Sequence, residues 1–533
     1  MSLDQHAYRI LCRLYRLVLL KQWMAPICLS RAASPAPAGP QGTTGLETLE
    51  GRLLLSVAPA LVEPAKVHLQ GDAGADNLYL RAADGVLEYS ATGLADSYTA
   101  DMDAADGVQS LALTSGARIS IDLGDGENHL FVDASLNDAL TADGAVLTFQ
   151  GGSESDTLHG PAGEGDWRVT AQNAGTLNGQ IHFSGVENLA GDTGANDTFR
   201  LAPGAGVSGL VDGGVGGFDS MIVEGSYGDV AYSAAGPHSG TITLDGSSLR
   251  YDGLEPTLLG ASATLTINGS ALADDLVLRL DPDASGNLQV FSNGGTIESP
   301  SFPLPSTSLT INGGLGNDTV TVSGVVNMGT TNLSINAESI ALGATANLTA
   351  GVVTLTASSS TDLTTLDIVA LLNAFHAGHV VDVAHLIGDF LMGDVQTQIN
   401  LTSATVSATS LTMSATTTVT GVTTGLLNSS LGFTIPGFSA AFANVHAKAD
   451  VNVSGGSITT TAGLSLSAVS SVTTGATATA SASNTDTAVD GAFALSVVDS
   501  QATAVIGGAA TLAVAGAVSV TASNTTSVTT TAD

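Results

Sequence analysis

Cysteine is missing from most of the chain: the two present are Cys12 and Cys28. No disulfide framework and no cysteine-based metal site can exist in the long body that follows. Aromatic residues make up 4% and charged residues 12% of the 533 positions, thin material for one large globular core. A solenoid suits that scarcity, because its narrow interior is filled by stacked β-branched and aliphatic side chains. Basic residues are scarcer still, with 14 Lys and Arg against 49 Asp and Glu and a net charge of −35. Phosphate backbones are bound by clustered Lys and Arg, so nucleic acid is excluded as a partner. Seven of the 14 basic residues precede residue 67, and after Arg279 only Lys448 faces fifteen acids. That asymmetry marks residues 1–66 as a separate leader region. No stretch of about 18 apolar residues occurs, which removes a transmembrane helix from consideration.

Glycine is abundant, 63 residues in all, and much of it lies in one recurring turn phrase. The phrase reads Gly71-Asp72-Ala73-Gly74-Ala75-Asp76 before Leu78, and most sharply Gly313-Gly314-Leu315-Gly316-Asn317-Asp318 before Val320. Looser copies run from Gly124 to Asn128, Gly151 to Asp156, Gly191 to Asp197, Gly213 to Asp219 and Gly269 to Asp275. Glycine permits the positive φ of a tight turn, and the closing Asp can cap that turn or offer oxygens to a hard cation. A turn that recurs between apolar runs predicts a repetitive β architecture rather than a compact enzyme.

In the leader, Arg9, Arg13 and Arg16 precede Leu17-Val18-Leu19-Leu20, the outline of a signal peptide, but Lys21 ends the apolar run after roughly one helical turn. An amphipathic or mis-started N-terminus fits this better than a cleavable signal. Residues 32–45 form a Pro/Gly/Ala linker. Leu46-Glu47-Thr48-Leu49-Glu50-Gly51-Arg52-Leu53-Leu54-Leu55-Ser56 follows, an amphipathic turn of helix when taken alone. The segment resembles the LEPR-XLL motif near the N-termini of very large, repetitive bacterial proteins thought to be extracellular. Leu49, Glu50 and Arg52 to Ser56 keep the motif, and Gly51 stands where the family has proline.

Residues 67–330 carry most of the glycine turns. Two units, Trp167 to Phe199 and Leu210 to Pro256, resemble modules of such surface proteins, each closed by a degenerate Gly/Asp turn. The turns also resemble the calcium-binding nonapeptide of RTX proteins, which Gly313 to Val320 fits well. In that family calcium is held between successive turns of a tandem array. Here the closing acids are tens of residues apart, so each turn is expected to stand alone and lack half of the family site, whereas calcium takes six to eight oxygens. Calcium is the one cofactor these turns suggest, with Asp76, Asn317 and Asp318 as candidate ligands; otherwise the phrase is a structural β-turn.

Residues 331–533 turn to Thr, Ser, Ala and Val. Leu411 to Ala415, Leu464 to Ala468 and Val518 to Ala522 are similar strands spaced 53 and 54 residues apart, with an earlier echo at Val353 to Ala357. Strict apolar/hydroxyl alternation sends one face into a core and leaves hydroxyls outside. Leu333 and Val353 lie 20 residues apart, about one coil of a parallel β-helix. Leu363 to Leu391 breaks the pattern with helical spacing, and Asp382, His385 and Asp389 would share one helix face there; a packed helical insertion explains this more economically than a metal site. Because the chain stops at Asp533 inside a strand-rich repeat, it reads as part of something longer.

The expected fold is therefore all-β, with parallel β-helix or β-solenoid repeats, a disordered or partly helical leader and a short helical insertion at 363–391. The expected segments are a leader and linker over 1–45, the LEPR-XLL-like motif over 46–66, turn-rich β repeats over 67–330, with irregular coils or small sandwiches as the open alternatives, and the Thr/Ser/Ala/Val solenoid over 331–533. No nucleophile elbow, HExxH or Walker loop is present. The sequence points to a non-catalytic, monomeric, extended cell-surface or extracellular adhesion protein whose partners are a repetitive ligand or glycan, or neighbouring surface proteins. An RTX-like calcium module and a glycan-cleaving β-helix are the two alternatives.

Overall fold

The chain divides into two units, Met1–Leu54 and Leu55–Asp533. The computed structural model describes, within the second, residues 57–63, 65–91, 97–103, 106–284, 286–363, 392–424, 438–479 and 491–533. The leader, the LEPR-XLL-like segment up to Ser56, and all but the first residue of the expected helical insertion lie outside the described residues, as do Asp382, His385 and Asp389.

The second unit is an all-β solenoid built on two long, mainly parallel sheets. Alternating sequences explain why these segments are strands: residues at even spacing point to one side, so every second side chain enters a shared interior. In the first sheet Val67 pairs with Ile119, Ile119 with Leu147, and Leu147 with Ile181, all buried. In the second, Leu78, Leu130, Leu158, Leu189, Val211 and Tyr251 form one continuous buried row. Such rows place like on like at the ~4.8 Å strand spacing, which packs aliphatic chains without cavities.

The same two sheets continue through residues 67–330 and 331–533, so the turn-rich block is made of solenoid coils as well. One hydrophobic core spans Val57 to Ala468. Within it Leu265, Leu309, Leu333, Val353, Leu411 and Leu464 stack in register, and the exposed Val518 continues the row, matching the repeats at 20, 53 and 54 residues. From Val325–Asn327 onward a third, five-stranded sheet joins the coils and ends at Thr511–Val514. The few buried aromatics, including Trp167, Phe149, Phe199, Tyr232 and Phe302, lie in the earlier coils. Later coils use Leu, Val, Ile and Ala.

Parallel winding is interrupted by antiparallel excursions. Asp166–Ala171, Ala174–Leu177 and Ile181–Ser184 form one meander, and Ser226–Gly236, Ser239–Leu244 and Ser247–Asp252 form another. One helix occurs among the described residues, Ala134–Asp143, which the sequence does not announce. Asp133 caps it by accepting the Ser135 N–H at 2.9 Å, Gly144 ends it in the left-handed region, and it buries Leu136 and Leu140. No helix of the described residues is long and apolar enough to cross a membrane.

Candidate functional site

The glycine-aspartate turns are corners where the chain passes between the two sheets, and the corners stack on one another. Asp76 donates its backbone N–H to Asn128 Oδ1, Asn128 to Asp156 Oδ1, and Asp156 to Glu187 Oε2, each at 2.9 Å. Asp197 donates to Asp219 Oδ1 at 2.7 Å. Asp274 donates to Asp318 Oδ1 at 2.8 Å, and Asp318 to Glu338 Oε2 at 2.9 Å. Each closing side chain thus satisfies a buried amide of the preceding corner.

This overturns the expectation that each turn stands alone. The partner turn is supplied by the next coil, and the coils differ in length, so linear spacing conceals the stacking. The closing position of the copy that starts at Gly269 is Asp274 rather than Asp275, which instead begins a strand opposite Thr319. Glycine is needed because the corners nearly touch. A Cβ on Gly152 (φ +113) would collide with the Gly124 carbonyl oxygen, and one on Gly314 (φ +116) with that of Ser270.

The aspartates of these ladders are deeply buried, while Glu187 and Glu338 are half-buried. Burial pushes the carboxyl groups of Asp156, Asp219 and Asp318 up to about 6, against the backbone hydrogen bonds that lower them. Oδ1 of Asp76 and Oδ2 of Asp156 and Asp318 are buried with no hydrogen-bond partner. Asn128 shows what that second position accepts: its Nδ2 donates to the carbonyl oxygens of Gly126 at 3.1 Å, Gly124 at 3.3 Å and Gly151 at 3.4 Å.

The three calcium candidates are not brought together. Asp76 closes a corner that follows strand Lys66–Gln70 of the first sheet, whereas Asp318 closes one that precedes Thr319–Val322 of that sheet. The first-sheet strands between them keep one direction apart from the hairpin strands, so the two corners lie at opposite strand ends. Asn317 is exposed beside buried Asp318, at a shallow depression also lined by Glu338, Asp394 and Gln396. That depression gathers three acids, of which Glu338 accepts the Asp318 N–H and Asp394 the Gln396 amide.

A different cluster has no counterpart in the sequence reading. His238 Nδ1 lies 2.5 Å from Glu255 Oε2 and 3.5 Å from Glu298 Oε2. The three residues come from a hairpin turn, a corner and a loop, with no motif spacing to betray them. The sheet surface also carries rows: Asn312 Nδ2 donates to Asn268 Oδ1 at 2.7 Å and Asn336 Nδ2 to Asn312 Oδ1 at 2.8 Å. Compared with known proteins, the chain matches no family model, no curated protein and no solved structure.

Proposed function

We propose that this chain is part of a large, non-catalytic, extracellular or cell-surface protein of the LEPR-XLL type, acting through its solenoid by multivalent weak contact with a repetitive ligand such as a glycan. The observation that carries this reading is the pair of hydroxyl rows. Thr354, Thr412, Ser465 and Ser519 stand in register on successive coils, and so do Thr356, Ser414, Ser467 and Thr521. They alternate with buried Leu355, Met413 and Leu466, so the hydroxyls face outward while their neighbours fill the core. Rows at ~4.8 Å spacing offer one weak polar contact per coil, and linking many such contacts multiplies the overall binding. The test is deletion of the gene in its host. Loss of attachment or aggregation, with the protein found outside the cell, supports the reading; a purely cytoplasmic protein or unchanged attachment defeats it.

A calcium-dependent, RTX-like role is the second reading, favoured by the acidic depression at Asn317, Asp318, Glu338 and Asp394. Melting with and without millimolar calcium separates it from the first. Release of products from acidic polysaccharides would overturn the non-catalytic part of the proposal.

A further inference from the structure

Three side chains from separate segments converge beside the second antiparallel meander. His238 lies in the turn between strands Ser226–Gly236 and Ser239–Leu244, Glu255 at the corner after Ser247–Asp252, and Glu298 in the loop before Ser301–Phe302. One ligating atom from each falls within 4.8 Å of the other two. The backbone beneath them is fixed. The His238 carbonyl accepts the Leu254 N–H at 3.2 Å, the Glu255 N–H donates to the Asp219 carbonyl, and the Glu298 carbonyl accepts the Tyr232 hydroxyl at 3.1 Å. The side chains grade from Glu298, 14% exposed, through Glu255 at 30% to His238 at 52%, which describes a site open on the imidazole side.

Below the cluster lies a buried tyrosine pair: Tyr251, 2% exposed, has its ring 6.0 Å from that of Tyr232, whose hydroxyl holds the Glu298 carbonyl. Charge is also unbalanced, since even a protonated imidazole offsets only one of two converging carboxylates. A dication offsets both.

We propose that His238, Glu255 and Glu298 bind one divalent transition-metal ion of the zinc class. One imidazole nitrogen and two carboxylate oxygens are a donor set that zinc, cobalt or manganese accepts at about 2.0–2.2 Å, leaving a further position for water. Calcium, which takes six to eight oxygens, is poorly served by it. Closing the three segments around an ion would fasten the meander to the coil that follows.

The experiment titrates the untagged chain with zinc and, separately, with cobalt, comparing wild type with His238→Ala, Glu298→Gln and Glu255→Gln. Since other histidines and acids also take up metal, the readout is one equivalent that the variants lose. The expected result is loss of that equivalent, or weakening by more than about tenfold, the scale on which even supporting residues affect metal sites. The cobalt absorption band should fall in His238→Ala while excess calcium leaves it unchanged, and near-native circular dichroism in the isosteric Glu298→Gln rules out unfolding. Equal stoichiometry and affinity in wild type and all three variants, or no zinc bound at micromolar concentration, overturns the proposal. Neither outcome bears on adhesion.

Discussion

The backbone N–H of Asp76 is held by the side chain of Asn128, 52 residues further along the chain, at 2.9 Å. The next bond of the same ladder spans 28 residues and the one after it 31. The Asn128 side-chain acceptor, together with the His129 N–H donating to the Asp76 carbonyl at 2.8 Å, registers the corner across the intervening chain.

Asn128 predicts how its charged equivalents respond to substitution. In Asp156→Asn the Oδ1 still accepts the Asn128 N–H, and the new amide can donate where Asp156 Oδ2 now has no partner. Stability at pH 7 should be unchanged or increased. Asp156→Ala leaves a buried N–H without an acceptor and should cost roughly 1–3 kcal/mol. Urea denaturation of the two variants checks this, and an Asn variant as damaged as the Ala variant would contradict it.

Stability should rise as the solution is acidified from neutral pH. The folded-state carboxyl of Asp156 is raised to about 6, above the ~3.9 of an unfolded aspartate. Between those values the folded chain binds the extra proton. Its contribution is fully present below about pH 4 and is lost as pH rises through about 6. Denaturation midpoints at pH 4.5, 5.5 and 7 should fall in that order, and the slope should flatten in Asp156→Asn. An unchanged slope in that variant would assign the effect to general charge repulsion instead.

Two glycines in left-handed conformations should differ in their tolerance. At Gly152 an added Cβ would collide with the Gly124 carbonyl oxygen, whereas at Gly163 (φ +110) nothing lies within 4 Å. Gly163→Ala should cost about 1–2 kcal/mol from backbone strain alone. Gly152→Ala should cost more, because the stacked corners must also move apart. Thermal melting of the pair measures the difference, and equal losses would mean that the corners yield freely.

Changing Thr412, Ser465 and Ser467 to Val should leave the fold intact, since their side chains lie on the outer face and such changes usually stay within about 0.5 kcal/mol. Binding to the repetitive ligand should drop disproportionately, as avidity depends on unbroken rows. Sedimentation with the candidate polysaccharide measures this, and binding equal to wild type would remove the rows from the interaction.

The strands and the longer repeats were legible because apolar alternation is a local signal. Leu333 and Val353, or Leu411, Leu464 and Val518, show in one dimension the register they hold in three. The corner stacks were half legible. Glycine and acid marked each turn, but the sequence holds no fixed period between Asp76, Asn128 and Asp156, so nothing indicated which turn lay on which. The helix Ala134–Asp143 was hidden because it buries just Leu136 and Leu140, too short a stripe to stand out. His238, Glu255 and Glu298 were invisible for a different reason: an antiparallel meander folds them together, and no spacing rule describes that.

The freedom in coil length has a practical meaning. Where an amide-to-side-chain bond registers one corner of a coil, the opposite edge can differ in length, as it does at Asp133 to Ala145, where a capped helix fills the gap between strands His129–Val132 and Val146–Gln150. A peptide spliced into that segment would be displayed on a coil whose registration is kept from the other side.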